Sequence, residues 1–181
     1  DNIHDSFAYK EIPCEFYLNK GPCEEHDLMA LYEKLYRKYP DSITLIYNKE
    51  YLDWRVRSNP FIQYKEFQAY NGKEMHAYAI VTESDKILTI SDLTSQNTHA
   101  ALFLLNNIIK EHQNGAGDYR FLVNPKDSLS RDLIGHLASF GFKNSQRWNL
   151  VVRDLSNGMY PQLFNISNWH INGLWTEGAS M

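Results

Sequence analysis

Apolar and polar positions alternate through the middle of the chain and then change period, and that change sets the expected elements. Gln63 to Tyr70, Glu74 to Glu83 and Lys86 to Leu93 read as three strands of a meander. The first pair is expected to join through Asn71-Gly72, a dipeptide whose positive φ angles suit a two-residue type I′ turn. The second pair turns at the polar Glu83-Ser84-Asp85. From Asn97 to His112 the period becomes helical: Ala101, Leu104, Leu105, Ile108 and Ile109 form one apolar stripe, with Asn106, Asn107, Lys110 and Glu111 facing away.

Upstream, Ile12 to Leu18 predicts a short strand broken by Gly21-Pro22. Glu24 to Tyr39 predicts a helix buried through Leu28, Leu31, Tyr32, Leu35 and Tyr39 and stopped by Pro40. Lys49 to Arg57 is a shorter helical segment closed by Asn59-Pro60. Downstream, Tyr119 to Val123 has the continuous apolar character of a buried central strand. A second covering helix follows, with Leu129, Leu133, Leu137 and Phe140 inward, Asp127 or Ser128 at its start and Gly141 just beyond its end. Trp148 to Val152 predicts the last strand, and residues 154–181 an edge segment. No repeat or linker divides residues 1–181, so one domain of α/β (α+β) class is expected: a mixed, mainly antiparallel sheet with helices on both faces.

Composition narrows the chemistry. Of 181 residues, 43% are hydrophobic, enough for a sizeable core. Eighteen Lys plus Arg against 22 Asp plus Glu leave a net charge of -4, so no basic field draws nucleic acid. No apolar run reaches the roughly 20 residues of a membrane span, and the expected location is the cytoplasm. The chain begins at Asp1, as a processed product or a piece of a longer polypeptide would. Cys14 and Cys23 are too few for a disulfide framework or a four-ligand zinc site; two reduced thiols and one local disulfide are the alternatives. Seven scattered histidines show no metal-ligand spacing, so no metal is expected, and no nucleophile elbow, P-loop or dinucleotide fingerprint occurs.

The order strand, two helices, three-strand meander, helix, strand, helix, strand resembles the GNAT superfamily of acyl-CoA-dependent N-acyltransferases. Asn124 after the buried strand and Gly141-Phe142 after the second covering helix match residues that many such proteins carry; the plain reading of Gly-Phe is a helix cap with an apolar anchor. Tyr51-Leu52-Asp53-Trp54-Arg55 also looks like a segment in the C-terminal halves of some two-domain GNAT proteins. The resemblance implies a sheet splayed at its centre, with the arm of acetyl-CoA or another acyl-CoA pairing with the strand end at Ser91-Asp92-Leu93. It implies a pyrophosphate at the next helix's N-terminus, where free N–H groups and the dipole favour an anion.

The family's loop there runs Gln or Arg, two residues, Gly, one residue, Gly or Ala. This chain has Gln96-Asn97-Thr98-His99-Ala100-Ala101, with His99 at the first Gly. The alternative is that Thr98 caps a helix and His99 is exposed on its first turn. Where a Tyr acid is common, four residues before the Gly of Gly-Phe, this sequence has Leu137, which also fits core packing. Asp92 is the nominee for a base that takes the acceptor's proton, against the plain reading of an Asp leaving a strand. His76 and Glu74 depend on register.

The implied activity is acyl transfer to the amine of a small molecule or amino sugar by direct attack on the thioester. Ser91, Leu93, Gln96, His99, Ala101 and Asn124 are the expected acyl-CoA contacts. Neither nucleic acid nor membrane is an expected partner, whereas a second GNAT-like domain or a homodimer partner is. The alternative is a non-catalytic domain of the same fold that binds a ligand or scaffolds a larger protein, and an unrelated α/β topology is the third reading.

Overall fold

The computed structural model describes residues 15–115, 117–127, 130–143, 160–171 and 174. Among the described residues five strands form one sheet in chain order: β1 (Tyr17–Lys20), β2 (Tyr64–Asn71), β3 (Glu74–Ser84), β4 (Ile87–Ser95) and β5 (Asp118–Phe121). Neighbours from β1 to β4 are antiparallel, while β5 runs parallel to β4 because α3 (Thr98–His112) carries the chain back across the sheet. The α/β class and the mainly antiparallel sheet are as the sequence predicted.

Each face of the sheet has its own core. On one, Leu104, Leu105 and Ile108 of α3 pack on Ala77, Ala79, Val81, Leu88 and Ile90, joined by Leu133 and Leu137 of α4 (Arg131–Leu137). On the other, Leu28, Leu31, Tyr32 and Leu35 of α1 (Glu25–Lys38) meet Tyr78, Ile80, Leu52 and Val56. Glu25 and Asp27 in the first turn of α1 and Arg37 and Lys38 in its last complement the helix dipole. The helix α2 (Lys49–Leu52) widens into a π turn over Asp53–Arg57, so the predicted Lys49–Arg57 segment is helical with two hydrogen-bonding patterns. Among the described residues no helix is long and apolar enough to cross a membrane.

Three local expectations need correction. The β2–β3 loop is Gly72-Lys73, not Asn71-Gly72, because a register shift at Ala69/Tyr70 draws Asn71 into a pair with Glu74. Gly72 alone then has positive φ, which suits a II′ turn with Gly first. The cap of α3 is Asn97, whose Oδ1 accepts from Ala100 N at 2.9 Å, and Thr98 is the first helical residue. At α4 the capping position is Ser130 rather than Asp127, whose carboxylate is engaged elsewhere. The end of that helix is as predicted: Gly141 is left-handed at φ 83°, and Phe142 N donates back to Leu137 O. Ser128, Leu129 and the strand predicted over 148–152 lie outside the described residues.

Candidate functional site

Side chains along a strand alternate between faces, so one extra residue reverses every position beyond it. In β4 that residue is Ser91. Val81 pairs with Ile90 and Ile80 with Asp92, which leaves Ser91 without an opposite number on β3. Leu88 and Ile90 face α3, and a regular strand would have placed Asp92 beside them. The bulge instead turns Asp92 and Thr94, with their partners Ile80 and Tyr78, towards α1, and sends Leu93 to the α3 side.

The other flank of β4 changes at the same point. The β4–β5 ladder runs from Ile87–Asp118 to Ile90–Phe121 and ends there, while β4 continues to Ser95. Beyond the bulge β4 leads to the N-terminus of α3. A hollow of about 220 Å³ lies there, lined by Lys38, Tyr39, Ser95, Gln96, Asn97, Thr98, His99 and Asp132. His99 is exposed on the first turn, whereas Ala101 is buried in the α3 core. Gln96 is held by its own amide, which donates to Met75 O at 3.0 Å and Glu74 Oε1 at 3.1 Å. A second hollow of about 200 Å³ adjoins it across Lys38 and Tyr39, bordered by Ser42, Asp127, Ser167 and Asn168.

A connected set of buried polar groups comes from three parts of the chain. Thr94 Oγ1 is 3.2 and 3.3 Å from the Asp92 carboxylate oxygens, to which it donates, and 3.5 Å from His170 Nε2. His170 Nδ1 lies 2.6 Å from Asp127 Oδ2, which also accepts from Ser130 Oγ at 2.7 Å. Asp92, Asp127 and His170 are 0%, 1% and 5% exposed. Burial opposes a charged imidazole, but the hydrogen bond to Asp127 and the charges of Asp127 and Asp92 outweigh it, so the His170 pKa is raised. With Asp127 accepting at Nδ1 and the Thr94 proton aimed at Asp92, the network is satisfied by an imidazolium that donates from both nitrogens.

His170 is brought there by backbone contacts. Asn124 Nδ2 donates to Ile166 O at 2.7 Å and Trp169 O at 2.8 Å, fixing the segment that follows 160. That segment adds a parallel bridge between Ile43 and Trp169, with Ile43 N bonded to Asn168 O and His170 N to Ile43 O.

The structure thus brings Ser91, Asp92 and Leu93 to the bulge and Gln96 and His99 to the hollow. Asn124, shortly after β5, gives its amide hydrogens to the C-terminal segment. Glu74 and His76 lie apart from Asp92. Glu74 is exposed and held below the ordinary carboxylate range by Lys34 and then Gln96. Sequence reasoning missed Thr94, Ser130 and His170, and gave Asp127 only a capping role. The bulge did leave a trace, since the apolar spacing Leu88, Ile90, Leu93 steps by two and then by three. His170 left none.

No family model matches the chain. No curated protein matches it either. Solved structures do. An aminoglycoside acetyltransferase, meta-AAC0020 from an uncultured soil metagenomic sample, solved in complex with trehalose, superposes with a TM-score of 0.53 at 13% identity, covering 79% of this chain and 100% of that one. A probable acetyltransferase gives 0.52 at 16% identity, over 76% and 99%. A transcriptional regulator from Bacillus halodurans C-125 gives 0.52 at 15%, over 76% and 100%. The fold is that of the GNAT acetyltransferases.

Proposed function

We propose that this chain binds acetyl-CoA or another acyl-CoA and transfers the acyl group to the amine of a small acceptor, an amino sugar by preference. The observation that carries the reading is the flank of β4 beyond Ile90, where the ladder to β5 ends and the strand runs on to Ser95 and the N-terminus of a long helix. An extended amide-bearing arm pairs with such a flank as another strand would, through the backbone of Ser91 and Leu93. Phosphates suit the hollow beyond, where helix N–H groups and the Lys38 ammonium favour anions against the Asp132 carboxylate, and Gln96 and His99 form its walls. Ala101 keeps the first turn slim, and Asn124 closes the far end. An amino-sugar acceptor is supported by the metagenomic aminoglycoside acetyltransferase, which has also been solved with sisomicin. A cytoplasmic location belongs to the same reading.

In this reading the acceptor approaches from the α1 side, onto which the bulge turns Asp92. The ammonium gives a proton to the Asp92 carboxylate, directly or through water. The amine's lone pair then forms a bond to the thioester carbonyl carbon as the C–S bond breaks, and the thiolate leaves with the electron pair. Leu137 is packed in the core, so the thiolate takes its proton from solvent or from the newly acylated nitrogen. Positioning amine and thioester contributes more than that protonation.

One observation favours the second reading, a ligand-binding domain without catalysis: Asp92 has no exposed surface. Calorimetric titration with acetyl-CoA separates the readings when followed by a transfer assay on amino sugars and aminoglycosides. Transfer, slowed by Asp92→Asn with CoA affinity unchanged, supports the first. Binding without transfer supports the second, and no heat at millimolar ligand removes both.

A further inference from the structure

A wholly buried carboxylate keeps its proton at neutral pH unless donors or a cation face it. Asp92 is wholly buried, and Tyr32 of α1, Tyr51 of α2 and Tyr78 of β3 lie near enough for its charge to hinder their ionisation. The positive group in this network is supplied from the far end of the chain, by His170, with the Thr94 hydroxyl between them. Asp127 and Ser130 hold the imidazole from its other side.

Buried ion pairs are an expensive way to fasten a segment, since apolar side chains do it as well without the desolvation penalty. This segment is already fastened by the two Asn124 bonds and the Ile43 bridge. The His170 charge is therefore redundant as an anchor. Its position sets a cation one hydroxyl away from Asp92.

We infer that His170 is a positioning residue for the proposed transfer: acting through Thr94, and oriented by Asp127, it holds Asp92 as an ionised, fixed carboxylate able to take the acceptor's proton. The C-terminal segment is then part of the transfer site, and the site is incomplete without it. This rests on the acyl-transfer reading, but its electrostatic half is measurable without turnover.

The test has two arms on the full chain. In the first, His170 is titrated by NMR of its ring nitrogens in wild type and in Asp92→Asn. Loss of the facing charge lowers the His170 pKa by about one unit if the groups are coupled, and an unchanged titration overturns the inference whether or not the protein is an enzyme. In the second, kcat/KM is followed against pH for wild type, His170→Gln, Thr94→Val and Thr94→Ser. Without the cation or the bridging hydroxyl, the acid limb moves up by about one pH unit, acetyl-CoA affinity stays within about twofold, and Thr94→Ser restores the wild-type profile. A purely structural role lowers stability and leaves the limb where it was. An unmoved limb in His170→Gln and Thr94→Val, with transfer intact, overturns the inference alone. A wild type without transfer removes the acyl-transfer reading and the inference together.

Discussion

The buried pair Arg57–Glu66 fastens the π turn after α2 to β2, and its removal has a magnitude that follows from its geometry. Glu66 Oε1 accepts from Arg57 Nε at 2.8 Å, and Oε2 from Arg57 Nη2 at 3.0 Å, Tyr78 OH at 2.8 Å and Cys23 N at 3.3 Å. The Glu66 side chain is 4% exposed and that of Arg57 20%. Arg57→Met leaves a buried carboxylate with two neutral donors. Breaking a fully buried pair from one side costs about 3–5 kcal/mol, and because Arg57 touches solvent the lower end applies, about 3 kcal/mol. Glu66→Gln keeps an acceptor for Tyr78 and Cys23, and Arg57 retains Asp53 and Cys23 O, so its cost is about 1–2 kcal/mol. The double variant has no charge left unpaired and costs about as much as Glu66→Gln alone, a coupling on the order of 3 kcal/mol. Urea unfolding followed by tryptophan fluorescence reads these differences, and at this chain length Arg57→Met lowers Tm by roughly 6–12 °C. The reasoning is wrong if the single effects add to within about 0.5 kcal/mol, or if Arg57→Met costs less than about 1 kcal/mol.

Two further outcomes test other groups. Because folding raises the His170 pKa, its stabilisation is complete below the unfolded value of about 6.5 and is lost as pH rises through the folded value; the stability gap between wild type and His170→Gln is therefore wider at pH 5.5 than at pH 9, and a gap independent of pH refutes the ionised assignment. Cys23 is a free, buried thiol whose pKa is pushed up to about 12, first by burial and then by the Glu66 charge. In a Cys14→Ser background it resists alkylation at pH 8 until the chain is unfolded, and rapid native labelling would contradict that.

Most of the fold was legible because it rests on local periodicity. The step of three and four along α1 and α3 is a property of each helix, and so is the Gly141 cap. The β2–β3 turn was misplaced by one residue because a bulge at Ala69/Tyr70, set by pairing with β3, shifted the strand end. Gln96 and His99 were found because they lie within one turn of a helix start. The charged pairs were not. Glu66 and Arg57 are nine residues apart with no signal that pairs them, and they meet only where β2, the turn after α2 and the chain before α1 close together.

Asp92 shows where the boundary falls. The sequence by itself put it near the end of a strand ahead of a helix start, since strand and helix periods are written in neighbouring residues. Which way its carboxylate points was decided by the bulge at Ser91 against β3. What faces it was decided by the C-terminal segment, which sets His170 beside Thr94 although the two lie 76 residues apart. A lone histidine carries no periodic signal, and a buried charge is tolerated only where distant parts of the chain converge to pair it.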